Sequence, residues 1–164
     1  MIFGKKDKSG NLAVNIASFD GIPQFGRGVA LRLVLNESEQ QLSIEPRIGK
    51  PQPILLKYSQ FTAAEVITEQ EIKTKSKSVV GRAAIGGLLL GPLGATVGGM
   101  SGIGSKQQTA EKQFLVINYT SSVGGEPKVL SFEVVGATLH LNEFMKALKS
   151  KLPTSQPELA TQYL

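Results

Sequence analysis

A chain of 164 residues, 41% hydrophobic and 19% charged, is long enough to bury one core without disulfides or metals, and it is neither a disordered acidic tail nor a multi-span membrane protein. It holds no Cys and a single His, so thiol catalysis, thiolate zinc sites, disulfide scaffolds and His-rich metal sites are excluded, and a Ser/His/Asp triad would depend on His140 alone. Eighteen basic against thirteen acidic residues leave a net charge of +5, compatible with an anionic partner such as a phospholipid surface or nucleic acid without choosing between them.

Residues 1–10 read as a basic tail, with Lys5, Lys6 and Lys8 near the start. No apolar run of signal-peptide length follows, and Met-Ile at the start excludes the Met-Gly of myristoylation, so the expectation is a cytoplasmic protein. From Leu12 to Phe19 apolar and small polar residues alternate until Asp20 Gly21 Ile22 Pro23 brings turn chemistry, which predicts a strand and a turn. Val29, Leu31, Leu33 and Leu35 recur with a period of two, and the polar turn Asn36 Glu37 Ser38 Glu39 joins them to Leu42 Ser43 Ile44 as a hairpin. Ile54 Leu55 Leu56 and a β-leaning stretch from Ala64 to Lys73 predict two further strands.

Beyond residue 105, Phe114 to Tyr119 and Val129 to Val134 flank Gly124 Gly125, the strongest hairpin signal in the chain. The last element changes period. Leu141, Phe144, Met145, Leu148 and Leu152 fall on one face of an amphipathic helix whose other face carries Glu143, Lys146 and Lys149. Pro153 and Pro157, with polar residues between them, make 153–164 a tail.

Between the two strand regions lies a segment unlike the rest. The 26 residues from Val79 to Gly104 include nine Gly, and Arg82 is the one charge. Gly87 and Gly91 are four apart, as are Gly94, Gly98 and Gly102, a spacing that puts small residues on one side of a helix so that two helix backbones can approach closely. The 22 uncharged residues from Ala83 to Gly104 would reach about 33 Å as one helix, nominally enough to span a bilayer. A span is rejected, because it would put strands of one sheet on opposite sides of the membrane. Gly91 Pro92 marks a turn instead, since Pro lacks an amide donor and disfavours helix at the residue before it. Two arms of roughly 18 Å would form a helical hairpin too short to cross.

Strands followed by one amphipathic helix, interrupted by the run from Lys73 to Lys106, resemble small bacterial and phage proteins described as pleckstrin-homology-like (PH-like) or glycine-zipper proteins. The resemblance covers roughly Gly21 to Leu152. It implies a mainly β (α+β) fold: an antiparallel barrel of six or seven strands over 11–152, plugged by the C-terminal helix and interrupted at 78–105 by the glycine-rich helical hairpin. It also implies an association with membranes, and no reaction.

The hairpin could enter one leaflet, pack on its own domain, or pair with hairpins of other copies, and Leu88 Leu89 Leu90 argues against a solvent-exposed loop. Expected contacts to lipid or to a second copy are Gly87, Leu88, Leu89, Leu90, Gly91, Pro92, Gly94, Gly98 and Gly102. Lys73, Lys75, Lys77 and Arg82 before the hairpin and Lys106 after it would meet anions, as at the inner face of a cell membrane. The leading expectation is a non-enzymatic module that associates with or inserts into a membrane through the hairpin, peripheral at its inner face; the alternative is a soluble interaction or assembly protein that homo-oligomerises through the hairpin.

Other motifs fall away. Gly99 to Lys106 nearly spells a phosphate-binding loop, but Ser precedes Lys where the order must be reversed. His140 precedes the last helix and reads as a partly exposed cap-region residue. The aromatics sit at core positions and are not interleaved with Arg, which disfavours nucleic acid. No catalytic residue, cofactor, metal or small-molecule substrate is implied.

Overall fold

A computed structural model of the chain describes residues 10–49, 52–75, 84–85, 88–93, 112–135 and 140–152. The tails expected at 1–10 and 153–164 lie outside these residues, apart from Gly10. The elements in chain order are β1 (Ala13–Asp20), β2 (Ala30–Asn36), β3 (Gln41–Pro46), β4 (Ile54–Lys57), a 3-10 turn (Tyr58–Gln60) and β5 (Phe61–Thr68). There follow α1 (Glu69–Lys75), β6 (Ala84–Ile85), β7 (Leu88–Leu89), β8 (Gln113–Thr120), β9 (Pro127–Val134) and α2 (Leu141–Lys149).

Seven strands form one antiparallel sheet in the order β4-β3-β2-β1-β9-β8-β5. Its two edge strands are consecutive in sequence. Laid flat, six strand spacings would separate them by about 29 Å, whereas the connection through Tyr58–Gln60 reaches about 14 Å. The sheet therefore curls until its edges meet. Lys57 N–H donates to Gln60 Oε1 at 3.0 Å and Gln60 Nε2 donates to Thr120 O at 2.9 Å, fastening that corner to the end of β8.

The period-two pattern supplies the interior. Val14 and Ile16, Leu31, Leu33 and Leu35, Leu42 and Ile44, Leu115 and Ile117, and Leu130 and Phe132 point into one core. Phe144, Met145 and Leu148 of α2 complete it, with Leu141 and Leu152 packed at its margin, as the helical spacing requires. Lys149 Nζ lies 2.8 Å from Glu65 Oε1 and Lys151 Nζ 2.7 Å from Glu37 Oε1, so two ion pairs tie the C-terminal end of the helix to β5 and to the β2–β3 turn. Lys151 also sits over the Tyr58 ring, 5.1 Å from its centroid. Burial first, and then the neighbouring Glu37 carboxylate, hold the Tyr58 phenol well above its ordinary pKa. Burial also raises that of Tyr119.

The predicted hairpins are present. Gly124 and Gly125 take φ +84° and +70° between β8 and β9, a conformation only Gly adopts without strain. In the β2–β3 turn Asn36 Oδ1 accepts from Glu39 N–H at 3.1 Å and from the Ser38 hydroxyl at 3.0 Å.

Within the sheet region one element differs from the sequence reading. The stretch from Ala64 to Lys73, expected to be extended throughout, leaves the sheet after Thr68 and turns into α1. The Thr68 hydroxyl accepts from Glu71 N–H at 3.1 Å while Glu71 Oε1 accepts from Thr68 N–H at 2.9 Å. This reciprocal pair is a capping box, written in the sequence as Thr68 Glu69 Gln70 Glu71, and it overrides the β propensity of Ile72 and Thr74.

Candidate functional site: the glycine-rich insert and its seat

The insert hangs from two neighbouring strands. Thr68 of β5 pairs with Gln113 of β8, and beyond the pair Glu69 N–H donates to Lys112 O at 2.8 Å. Everything between residues 69 and 112 therefore enters and leaves at one place on the barrel. Lys73, one of the expected anion contacts, is half-buried on α1 and lies 3.5 Å from Glu69 one turn earlier. Lys75 ends α1. Lys77, Arg82 and Lys106, like Gly87, Gly94, Gly98 and Gly102, lie outside the described residues.

The described part of the insert is not a helical arm. Ala84 pairs with Leu89 and Ile85 with Leu88 as two short antiparallel strands, and Gly91, at φ +59°, makes the expected turn before Pro92 and Leu93 start a helical turn. Two physical reasons favour the extended form. Gly costs a helix about 1 kcal/mol per residue relative to Ala in water, and Leu88, Leu89 and Leu90 alternate in, out and in, the period of a strand. Leu88 and Leu90 are buried, Leu89 is 37% exposed, and Gly91 and Pro92 face outward while Leu93 is buried again.

These leucines lie on the outer face of the sheet. Leu88, Leu90 and Leu93 pack with Ile67 of β5, Ile72 of α1 and Phe114 and Val116 of β8, a cluster separate from the main core and flanked by Phe19, Ala63 and Val129. Phe19 meets Phe114 edge to face at 5.1 Å, and the Arg27 guanidinium caps the Phe19 ring at 4.1 Å. Strand β8 is thus covered on both sides. Its unbroken run Phe114 Leu115 Val116 Ile117 is the sequence signal for double coverage.

Asn118 holds the strap, Leu88–Leu93, in place. Its Oδ1 accepts from Leu89 N–H at 2.7 Å and its Nδ2 donates to Leu89 O at 2.9 Å, and the side chain is nearly fully buried. Sequence reasoning missed this residue. A lone Asn within a strand carries no signal until a partner backbone is known to lie opposite it. Burying three leucines contributes about 5–9 kcal/mol against about 6–12 kcal/mol for ordering the six strap residues, and the cover they give Ile67, Ile72, Phe114 and Val116 adds to the favourable side.

A second concave feature lies where the β1–β2 loop meets β4 and the β8–β9 turn. This cleft of about 260 Å³ is lined by Ile22, Pro23, Gln24, Ile54, Leu55, Gln60, Tyr119, Ser121 and Ser122 among others, none of them Lys or Arg. It lacks the charge that would hold a phosphorylated headgroup. His140 is the N-cap residue of α2, at φ +65°, with Nδ1 3.8 Å from Glu143. Among the described residues no group of three or more His, Cys, Asp or Glu could hold a metal ion, and no helix is long and apolar enough to cross a membrane.

No curated protein and no solved structure gives a match to this chain. A family model does: the one described as a glycine zipper containing PH domain matches residues 25–122, from the β1–β2 loop to the start of the β8–β9 turn. That stretch is more than half of the chain and takes in the curled sheet's β2 to β8 together with the glycine run, so the chain belongs to the family of glycine-zipper-containing PH domains.

Proposed function

We propose that this protein is an interaction module without catalytic activity that associates peripherally with the inner face of a cell membrane through its glycine-rich insert. PH-like domains are in general interaction modules and not catalysts. The observation that carries the reading is the seating of the insert. It springs from adjacent ends of β5 and β8, and its residues Leu88, Leu90 and Leu93 are seated on the outside of a seven-stranded sheet that does not include them. Lys112 stands exposed at one foot of the insert, while Lys73 at the other is paired with Glu69, and each free basic residue near an anionic surface contributes about 1 kcal/mol of attraction.

Flotation with vesicles of phosphatidylcholine and phosphatidylglycerol tests the reading. The wild type should float, and a variant lacking residues 94–104 should not. Gly94→Leu and Gly98→Leu add bulk where the four-residue spacing calls for close backbone approach and should weaken binding. Equal flotation of wild type and deletion overturns the reading. A salt-insensitive oligomer that ignores vesicles would identify a second copy of the chain as the partner.

A further inference from the structure

We infer that the strap Leu88–Leu93 is a releasable latch, which keeps Leu88, Leu90 and Leu93 of the insert on the barrel until a lipid surface takes them. The inference rests on the membrane reading above and adds its regulation. The strap shares no ladder with the seven-stranded sheet; among the described residues its hydrogen bonds to that sheet are the two made by the Asn118 side chain. Its leucines belong to the outer cluster, while Leu115 and Ile117 on the opposite face of β8 belong to the main core. The strap can therefore leave without opening the barrel, as a local event well below global unfolding.

Release separates two apolar surfaces. One is Leu88, Leu90 and Leu93; the other is Ile67, Ile72, Phe114 and Val116. In water both would be exposed, which keeps the latch closed. A bilayer accepts Leu88, Leu90 and Leu93 in place of the barrel, and this differential affinity is what shifts the population to the open form.

The absence of Cys from the chain gives two clean tests. In the first, Leu90→Cys or Leu88→Cys on the strap is compared with Leu115→Cys in the main core, each labelled by a water-soluble thiol reagent under native conditions. The strap thiol should react at least about 100-fold faster, since local opening outruns global unfolding. Equal rates overturn the latch. In the second, Gly91→Cys is combined with Val129→Cys, where a Cβ on residue 91 would lie 3.3 Å from Val129 Cβ, within reach of a disulfide. The oxidised protein should lose flotation with phosphatidylcholine and phosphatidylglycerol vesicles and regain it on reduction. Equal flotation in both states overturns the latch and leaves the membrane reading standing. Failure of the wild type and the reduced variant alike to float overturns the membrane reading and the lipid-driven release with it, and the labelling ratio then decides independently whether the strap opens.

Discussion

The Asn118 carboxamide gives Leu89 both of the hydrogen bonds that a neighbouring strand would give it, accepting from its N–H at 2.7 Å and donating to its C=O at 2.9 Å. Strand β8 has already committed its backbone groups to β5 on one side and β9 on the other. A third extended segment lying over its face can be bonded only by a side chain, and a carboxamide carries one donor and one acceptor side by side.

Asn118→Ala should therefore destabilise the docked strap by about 1–3 kcal/mol, the cost of leaving two half-buried backbone groups unpaired. Asn118→Asp should be worse near neutral pH, because a carboxylate accepts from the Leu89 N–H but faces the Leu89 carbonyl without a proton to donate. Part of that loss should return below about pH 4, where the carboxyl is protonated. Urea denaturation of the three proteins at both pH values checks this.

Two glycines lean on the same residue of β9 with different consequences. Gly21 has φ +106°, and a Cβ there would collide with the Val129 carbonyl oxygen, so Gly21→Ala should cost about 3 kcal/mol or more. Gly91 has φ +59°, and its Cβ would meet the Val129 side chain at 3.3 Å, so Gly91→Ala should cost about 1–2 kcal/mol. Thermal unfolding should rank Gly21→Ala well below Gly91→Ala.

Replacing residues 78–105 by a short turn should leave a barrel that unfolds cooperatively, because Thr68 and Gln113 already face each other across β5 and β8. Removing Leu88, Leu90 and Leu93 uncovers Ile72, Phe114 and Val116. The deletion should therefore lose about 1–4 kcal/mol, burial lost being offset by chain no longer ordered, and it should bind a hydrophobic dye that the full chain does not. Val116→Thr in the deletion should reduce that dye binding.

Tyr58 predicts a weakness on the alkaline side. Its phenol is held above the ordinary value of 10.0 in the folded chain, so above pH 10 the unfolded state releases a proton that the native state keeps. The stabilisation is complete below pH 10 and falls as pH rises further; Tyr119, raised by burial, adds to the same slope. Tyr58→Phe should flatten the decline in thermal stability above about pH 10.

What was legible in the sequence was whatever local chemistry specifies by itself. The period-two runs of Leu31 to Leu35 and Leu42 to Ile44, the turn glycines Gly124 and Gly125, and the spacing of Phe144, Met145 and Leu148 led to strands, hairpin and helix that the structure contains. The turn at Gly91 was legible too, since a glycine before a proline marks a turn within two positions. The capping box at Thr68 and Glu71 is written in four adjacent residues, against a β propensity that points the other way. The path of Leu88–Leu90 was decided elsewhere. A glycine-rich run has no strong local preference, and the zipper spacing pointed to a helix. The outer face of β8, with Phe114 and Val116 needing cover and Asn118 needing a backbone to bind, pairs an extended segment with residues 29 positions away. Such pairing depends on the assembled sheet, and no window of sequence contains it.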